Sequence, residues 1–441
     1  MLTRVGAEVS DKGARVDFKD ASFPAPFVSG LEYGCSARGT WNIVHTGMLL
    51  PQGHEIFVCA AGCLRGVVLT AAEMNATDRF STVEIREQNI LDGDMEELII
   101  EGVSDILSKL TVMPKAVLVY TSCVHHFIGC DLPLVYRELR KRFPQVDFTD
   151  CYMNPIMRKS GLTPDQLMRR QLYSLLKERE QDKKQISIIG NNIGIDKGSE
   201  IYSLSQKAGF KVIEITDCKS YDEYQTMAGS CVNIVTNPVA IPSGKELEKR
   251  LSQKLLSMPL SYGFDKIEKA LDELCEYMGL SKQDFSEKRK ACEKALSDTL
   301  LLVGNTPIAI DYTATTAPLS LTRMLLDRGF NVTSVYADSF NALEKEDFDY
   351  IKKSYPALSL YATVHAKLRV LPRASEGKTL AIGQKAAYFT GTEHFVNIVE
   401  GGGMYGFDGI VKLCALIREA YMSPKDTKSL IQIKGLGCGC V

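Results

Sequence analysis

Short apolar runs alternate along the chain with longer stretches in which apolar positions recur every three or four residues. The first pattern predicts strands buried on both faces, and the second predicts amphipathic helices. Strands are expected over residues 55–59, 116–120, 186–189, 211–215, 232–235, 308–310, 331–336 and 380–382. Helices are expected over 95–110, 132–143, 163–180, 199–208, 245–256, 262–278, 281–302, 319–328 and 409–421. Glycine or proline punctuates most junctions. Such alternation predicts an α/β chain of parallel sheets with helices on both faces.

The elements fall into three blocks. Residues 1–170 form an N-terminal α/β block, 171–303 a middle one, and 304–441 a C-terminal one that ends in a cysteine-containing tail. Three sheet domains of similar build are expected, with the long helix over 281–302 as a bridge between blocks. A length of 441 residues accommodates this.

Composition changes this picture little. Apolar residues make up 45% and charged residues 24%, ordinary values for a globular chain. A net charge of −2 gives no reason to expect nucleic acid or an anionic membrane as partner. The opening residues lack the apolar stretch of an export signal, and no apolar run is long enough to span a bilayer. A cytoplasmic location is therefore expected. It would keep the thirteen cysteines reduced, as packing thiols, metal ligands or reactive groups.

Four of them carry the candidate chemistry. Cys35 follows Gly34, Cys59 and Cys63 flank Ala60-Ala61-Gly62, and Cys123 follows Thr121-Ser122. They lie at the ends of separate elements, where thiolates can converge on an iron–sulfur cluster. Compact zinc-ribbon or ferredoxin spacings are absent. If Cys59 begins a helix, Cys63 lies one turn on and on the same face. No GxxxxGK[ST] motif is present, so ATP hydrolysis by a phosphate-binding loop is not expected of this chain.

Other marks stand in order along the chain. They are Gly53-His54-Glu55, Glu84-Ile85-Arg86-Glu87-Gln88-Asn89-Ile90 with Gly93-Asp94, Phe127-Ile128-Gly129, Ile188-Ile189-Gly190-Asn191 and Met404-Tyr405-Gly406-Phe407-Asp408-Gly409. Taken with the cysteines, they make the chain resemble the nitrogenase component 1 superfamily, alpha-type subunits in particular. The resemblance implies three Rossmann-like α/β domains around a central cleft. It also implies pairing with a homologous component 1 subunit, either a second copy or a paralogue. Cys35, Cys59 and Cys123 match the family's interface-cluster cysteines, and Cys63 is additional, either replacing Cys59 or adding a fourth thiol. The resemblance implies a [4Fe–4S] or a P-cluster-like [8Fe–7S] cluster, fed by a separate ATP-dependent iron protein.

Two departures bear on the reaction. Asn237 stands where the family holds its active-site cofactor by a cysteine, and Tyr405 where it uses a histidine. An amide and a phenol are poor ligands for a soft iron–sulfide group, so that cofactor is not expected here. The cleft would instead take a small molecule or a cofactor as substrate. Its candidate lining is Asn191, Asn192, Thr236, Asn237, Thr313, Thr315, Lys385, His394 and Tyr405, at strand ends or in loops after strands. Tyr405 and His394 are the candidate proton donors. The function expected is that of a subunit of an ATP-driven nitrogenase-like reductase. The alternative is a scaffold or carrier for metallocluster assembly, to which the tail cysteines Cys438 and Cys440 would also fit.

Overall fold

A computed structural model describes residues 10–27, 43–154, 161–369, 371, 377–427 and 430. Cys35, Cys438 and Cys440 lie outside them. The described chain opens with the short strand β1 (Arg15–Asp17). The first sheet is built from β2 (Gly53–Ala60), β3 (Phe80–Ile85), β4 (Ala116–Ser122) and β5 (Asp147–Met153), in spatial order β3-β2-β4-β5. The second is built from β6 (Asp182–Ile189), β7 (Lys211–Glu214), β8 (Ser230–Val235) and β9 (Lys254–Ser257), in order β7-β6-β8-β9. The third takes β10 (Ile308–Asp311), β11 (Val332–Tyr336), β12 (Ser359–Tyr361), β13 (Leu380–Ile382) and β14 (Phe395–Val396), in order β1-β12-β11-β10-β13-β14. Every pairing is parallel except that of β1 with β12.

The chain groups into two compact units. One draws on Cys35–Gly194 and Phe210–Ser257 and contains the first two sheets. The other draws on Met1–Gly34, Ile195–Gly209 and Met258–Val441 and contains the third.

The inner strands follow from their side chains. β2 and β4 are apolar and buried almost throughout, as strands covered on both faces must be. Successive residues alternate between two cores. Ile56 and Val58 join one with Val117 and Val119, while Phe57 and Cys59 join the other with Leu118 and Tyr120. Across the β2–β4 pair the Phe57 and Tyr120 rings stack with centroids 3.9 Å apart. That second core continues through Met168 and Leu172 to Ile189 and Val235 of the second sheet, so the unit containing both sheets shares one interior.

Three expectations are corrected. The helix expected over 245–256 spans Ile241–Leu251, and Leu255 and Leu256 belong to β9. Ser252, in a left-handed conformation (φ 55°), ends that helix and turns the chain. The helix expected over 163–180 ends at Ser174. The long helix expected over 281–302 spans Ser286–Val303 and packs against the Gly406–Met422 helix inside the unit holding the third sheet.

β2 also carries a buried histidine. His54 Nε2 lies 2.8 Å from Ser81 Oγ, and burial, reinforced by Arg79, pushes its pKa down to about 4 from 6.5. The folded ring stays neutral down to that pH, whereas the unfolded ring takes up a proton near 6.5. Its stabilising contribution is therefore whole above pH 6.5 and is lost as pH falls towards 4. Urea midpoints measured across that window should fall with pH, and His54→Gln should flatten part of the fall. An unchanged profile in the variant would refute this.

Candidate functional site

In the first sheet β2 connects to β3 on one side and β4 to β5 on the other. The strand order reverses between β2 and β4, so their carboxyl ends are left as an open crevice. Both ends carry thiols. Val58 pairs with Thr121, which sets Cys59 level with Ser122 and places Cys123 just beyond the end of β4. Cys123 opens the short Cys123–Phe127 helix. Cys59 ends a strand rather than beginning a helix; the following helix runs Ala61–Glu73, and Cys63 is its third residue. Helical side chains lean towards the N-terminus, which turns Cys63 back over the crevice.

The three thiols form a closed triangle, since each interacts electrostatically with the other two. Cys59 is fully buried, Cys123 half-buried and Cys63 exposed. Burial first, then Cys63 and Cys123, pushes the Cys59 thiol far up, although the Ser122 hydroxyl donates towards its sulfur. Cys63 is raised by desolvation and by Cys123.

The turn that presents Cys123 is fixed by His125. Its Nδ1 accepts from the Ser122 backbone N–H at 3.1 Å, and the ring is buried. His126 points to solvent. Cys130, half-buried, bonds to Glu96; burial, with Glu96, raises its thiol to about 12.

The second sheet repeats the reversal between β6 and β8. There the ends carry Gly190-Asn191-Asn192 and Thr236-Asn237. Asn191 and Thr236 hold each other through bonds of 2.9 and 3.1 Å. Thr46 Oγ1 donates to Asn192 Oδ1 at 3.0 Å. Asn237 caps the Pro238–Ala240 turn, its Oδ1 accepting from Val239 N at 3.3 Å. Arg169 lies beneath, fully buried and ion-paired with Asp165, its Nε donating to Gly190 O at 2.7 Å. Sequence reading missed Arg169, because an arginine in a helical pattern looks like a solvated charge.

The third sheet, in the other unit, reverses between β10 and β13. Lys385 Nζ donates to the Tyr312 hydroxyl at 2.6 Å. Thr313 N donates to Asp311 Oδ1, and Thr315 Oγ1 accepts from the Tyr262 hydroxyl at 3.0 Å. Asp311, also missed, is fully buried, and its Oδ2 accepts from Ala386 N at 2.7 Å. His394 lies apart from these, its Nδ1 2.8 Å from Ala420 O. Tyr405 is buried before the Gly406–Met422 helix, and its hydroxyl donates to Met258 O at 3.2 Å. Burial raises its pKa. Of the expected lining, Asn191, Asn192, Thr236 and Asn237 thus gather in one unit, and Thr313, Thr315, Lys385, His394 and Tyr405 belong to the other.

A family model described as nitrogenase component 1 type oxidoreductase matches residues 50–375. The chain belongs to that family. Its fold is similar to that of two solved structures of nitrogenase Cp1. The one at pH 6.5 has TM-score 0.66 and 14% identity, covering 92% of this chain and 95% of the other. The one at pH 5 has TM-score 0.59 and 16% identity, covering 93% and 94%. No curated protein matches by sequence. No helix among the described residues is long and apolar enough to cross a membrane.

The thiol crevice of this component 1 type chain fits an iron–sulfur cluster on two grounds. Its donors are soft thiols. The first turn of the Ala61–Glu73 helix has no side-chain cap, so its orphan N–H groups are available to sulfur.

The second reversal depends on one glycine. Gly190 has φ 92°, and a Cβ there would lie 2.0 Å from Ala240 Cβ. Gly190→Ala should cost roughly 1–3 kcal/mol in backbone strain and about as much again in overpacking. Gly279→Ala, at φ 72° with nothing within 4 Å, should cost only the strain. Equal losses in denaturant titrations would refute this ranking.

Proposed function

We propose that this chain is a subunit of an ATP-driven, nitrogenase-like reductase. It takes electrons from a separate ATP-hydrolysing iron protein through a cluster bound by Cys35, Cys59 and Cys123, together with a homologous subunit. It passes them to a small molecule or a cofactor substrate. The observation that carries this reading is the meeting of Cys59 and Cys123 at the strand reversal of the first sheet, within a family of oxidoreductases.

When bound, the cluster would supply one-electron storage and transfer. The chain's own residues hold and tune it. The Ser122 hydroxyl donates to the Cys59 sulfur, the uncapped amides of the Ala61–Glu73 helix would be available to further sulfur, and the apolar interior beneath Cys59 would keep water away. Both act on the potential. Substrate would be met by the neutral hydrogen-bonding groups Asn191, Asn192 and Thr236 at the strand ends of the second sheet. Asn237 and Tyr405 are engaged by Val239 N and Met258 O, which suits them to shaping the protein rather than to binding iron.

Iron and acid-labile sulfide per chain, with EPR spectra, should be measured on protein purified without oxygen. Stoichiometric iron is expected in the wild type, with loss of most of it in Cys59→Ala/Cys123→Ala. Addition of an iron protein, MgATP and dithionite should then reduce the cluster in an ATP-dependent step, and substrate should reoxidise it. Iron that moves to an acceptor protein without any turnover would replace this reading with a scaffold for cluster assembly. Iron-free wild type, folded and paired with its partner, would remove the redox role.

A further inference from the structure

Cys63 lies outside the three-cysteine pattern of the family, and its surroundings differ from those of the other extra thiols. Cys151, Cys275, Cys292 and Cys414 are buried among apolar neighbours, as packing cysteines are. Cys218 donates to Glu214 O at 3.3 Å and Cys231 to Gln185 O at 3.2 Å, so each is engaged by its own backbone surroundings. Cys63 is exposed, and the groups acting on it are Cys59 and Cys123. It occupies the first turn of a thirteen-residue helix that lacks a side-chain cap. The adjacent Gly62 faces open space, with nothing within 4 Å of where a Cβ would be.

The geometry points to Cys63 as a further cluster ligand, acting with Cys59 and Cys123 so that one rigid unit of this chain holds three corners of a single cubane cluster. The inference rests on the cluster reading proposed above and adds to it. Cys59 is buried near the end of β2, Cys123 is half-buried just beyond the end of β4, and Cys63 is exposed on the first turn of the following helix, so the three thiols come from three separate elements. Nothing here depends on Cys35, which lies outside the described residues. A cluster fastened by three bonds to one unit would stay with this chain when a partner subunit leaves.

The test uses the full-length chain, reconstituted without oxygen with ferrous iron and sulfide. Iodoacetamide labelling, read by peptide mass spectrometry, compares Cys63 in apo and loaded protein. Cys63 should be labelled readily in the apo chain and protected in the loaded chain. Cys63→Ala should lose iron or show a changed EPR signal, and the loaded wild type should keep its iron through gel filtration as a monomer. Labelling of Cys63 at the apo rate in iron-loaded protein would overturn the inference while leaving the cluster reading intact. So would Cys63→Ala with full iron and an unchanged EPR signal, which separates ligation from simple shielding. A wild type that takes up no iron would overturn both.

Discussion

The reversal of strand order in each parallel sheet is the constraint on which the rest depends. A parallel strand must be followed by a crossover, and all crossovers of one hand leave from the same edge of the sheet. Where two neighbouring strands send theirs in opposite directions, the edge between them is left uncovered. This happens between β2 and β4, β6 and β8, and β10 and β13. The same backbone geometry therefore produces three crevices, and what each can do is decided by the few residues at the strand ends. In the first these are thiols, in the second amides and hydroxyls, and in the third a lysine paired with a tyrosine above a buried aspartate.

Keeping such edges open requires that the backbone beneath them be satisfied from inside. Arg169 does this under the second sheet, where it fills the Gly190 carbonyl and carries its own counter-ion. Asp311 does it under the third, accepting from Thr313 N, Ala314 N and Ala386 N. Asp311 comes so close to Gly383 that a Cβ there would collide with its carboxylate. At the first sheet's crevice the floor is Cys59 in an apolar core, with the Ser122 hydroxyl donating to its sulfur.

The strands β2, β4, β6, β8, β10, β11 and β13 were legible because their apolar runs are continuous, as was β7 at an edge. The edge strands β3, β5 and β9, and the short β12 and β14, were not. β3 and β9 alternate or expose their residues, and Leu255-Leu256 fits a helical period as well as a strand until Ser252 is known to adopt a left-handed turn. The helix after Cys59 went unread because Gly62 and Gly66 weaken its propensity. The approach of Cys59 to Cys123 was legible as residue type at strand ends, but that of Cys63 to both required the start of that helix. Arg169 and Asp311 were invisible because burial of a charge is a tertiary fact, set by partners 21 and 75 residues away.

The cap formed by Asn237 has a consequence for how this lineage can change. At that position the resemblance puts a cysteine, and the amide here has taken on a second task, accepting from Val239 N. A mutation returning sulfur would leave that N–H without its acceptor, at about 1 kcal/mol, before any metal could repay it. The pathway back thus passes through a less stable intermediate, unless another residue first assumes the capping role. A small hydrogen bond at the mouth of β8 acts as a ratchet on the chemistry available to the protein's descendants.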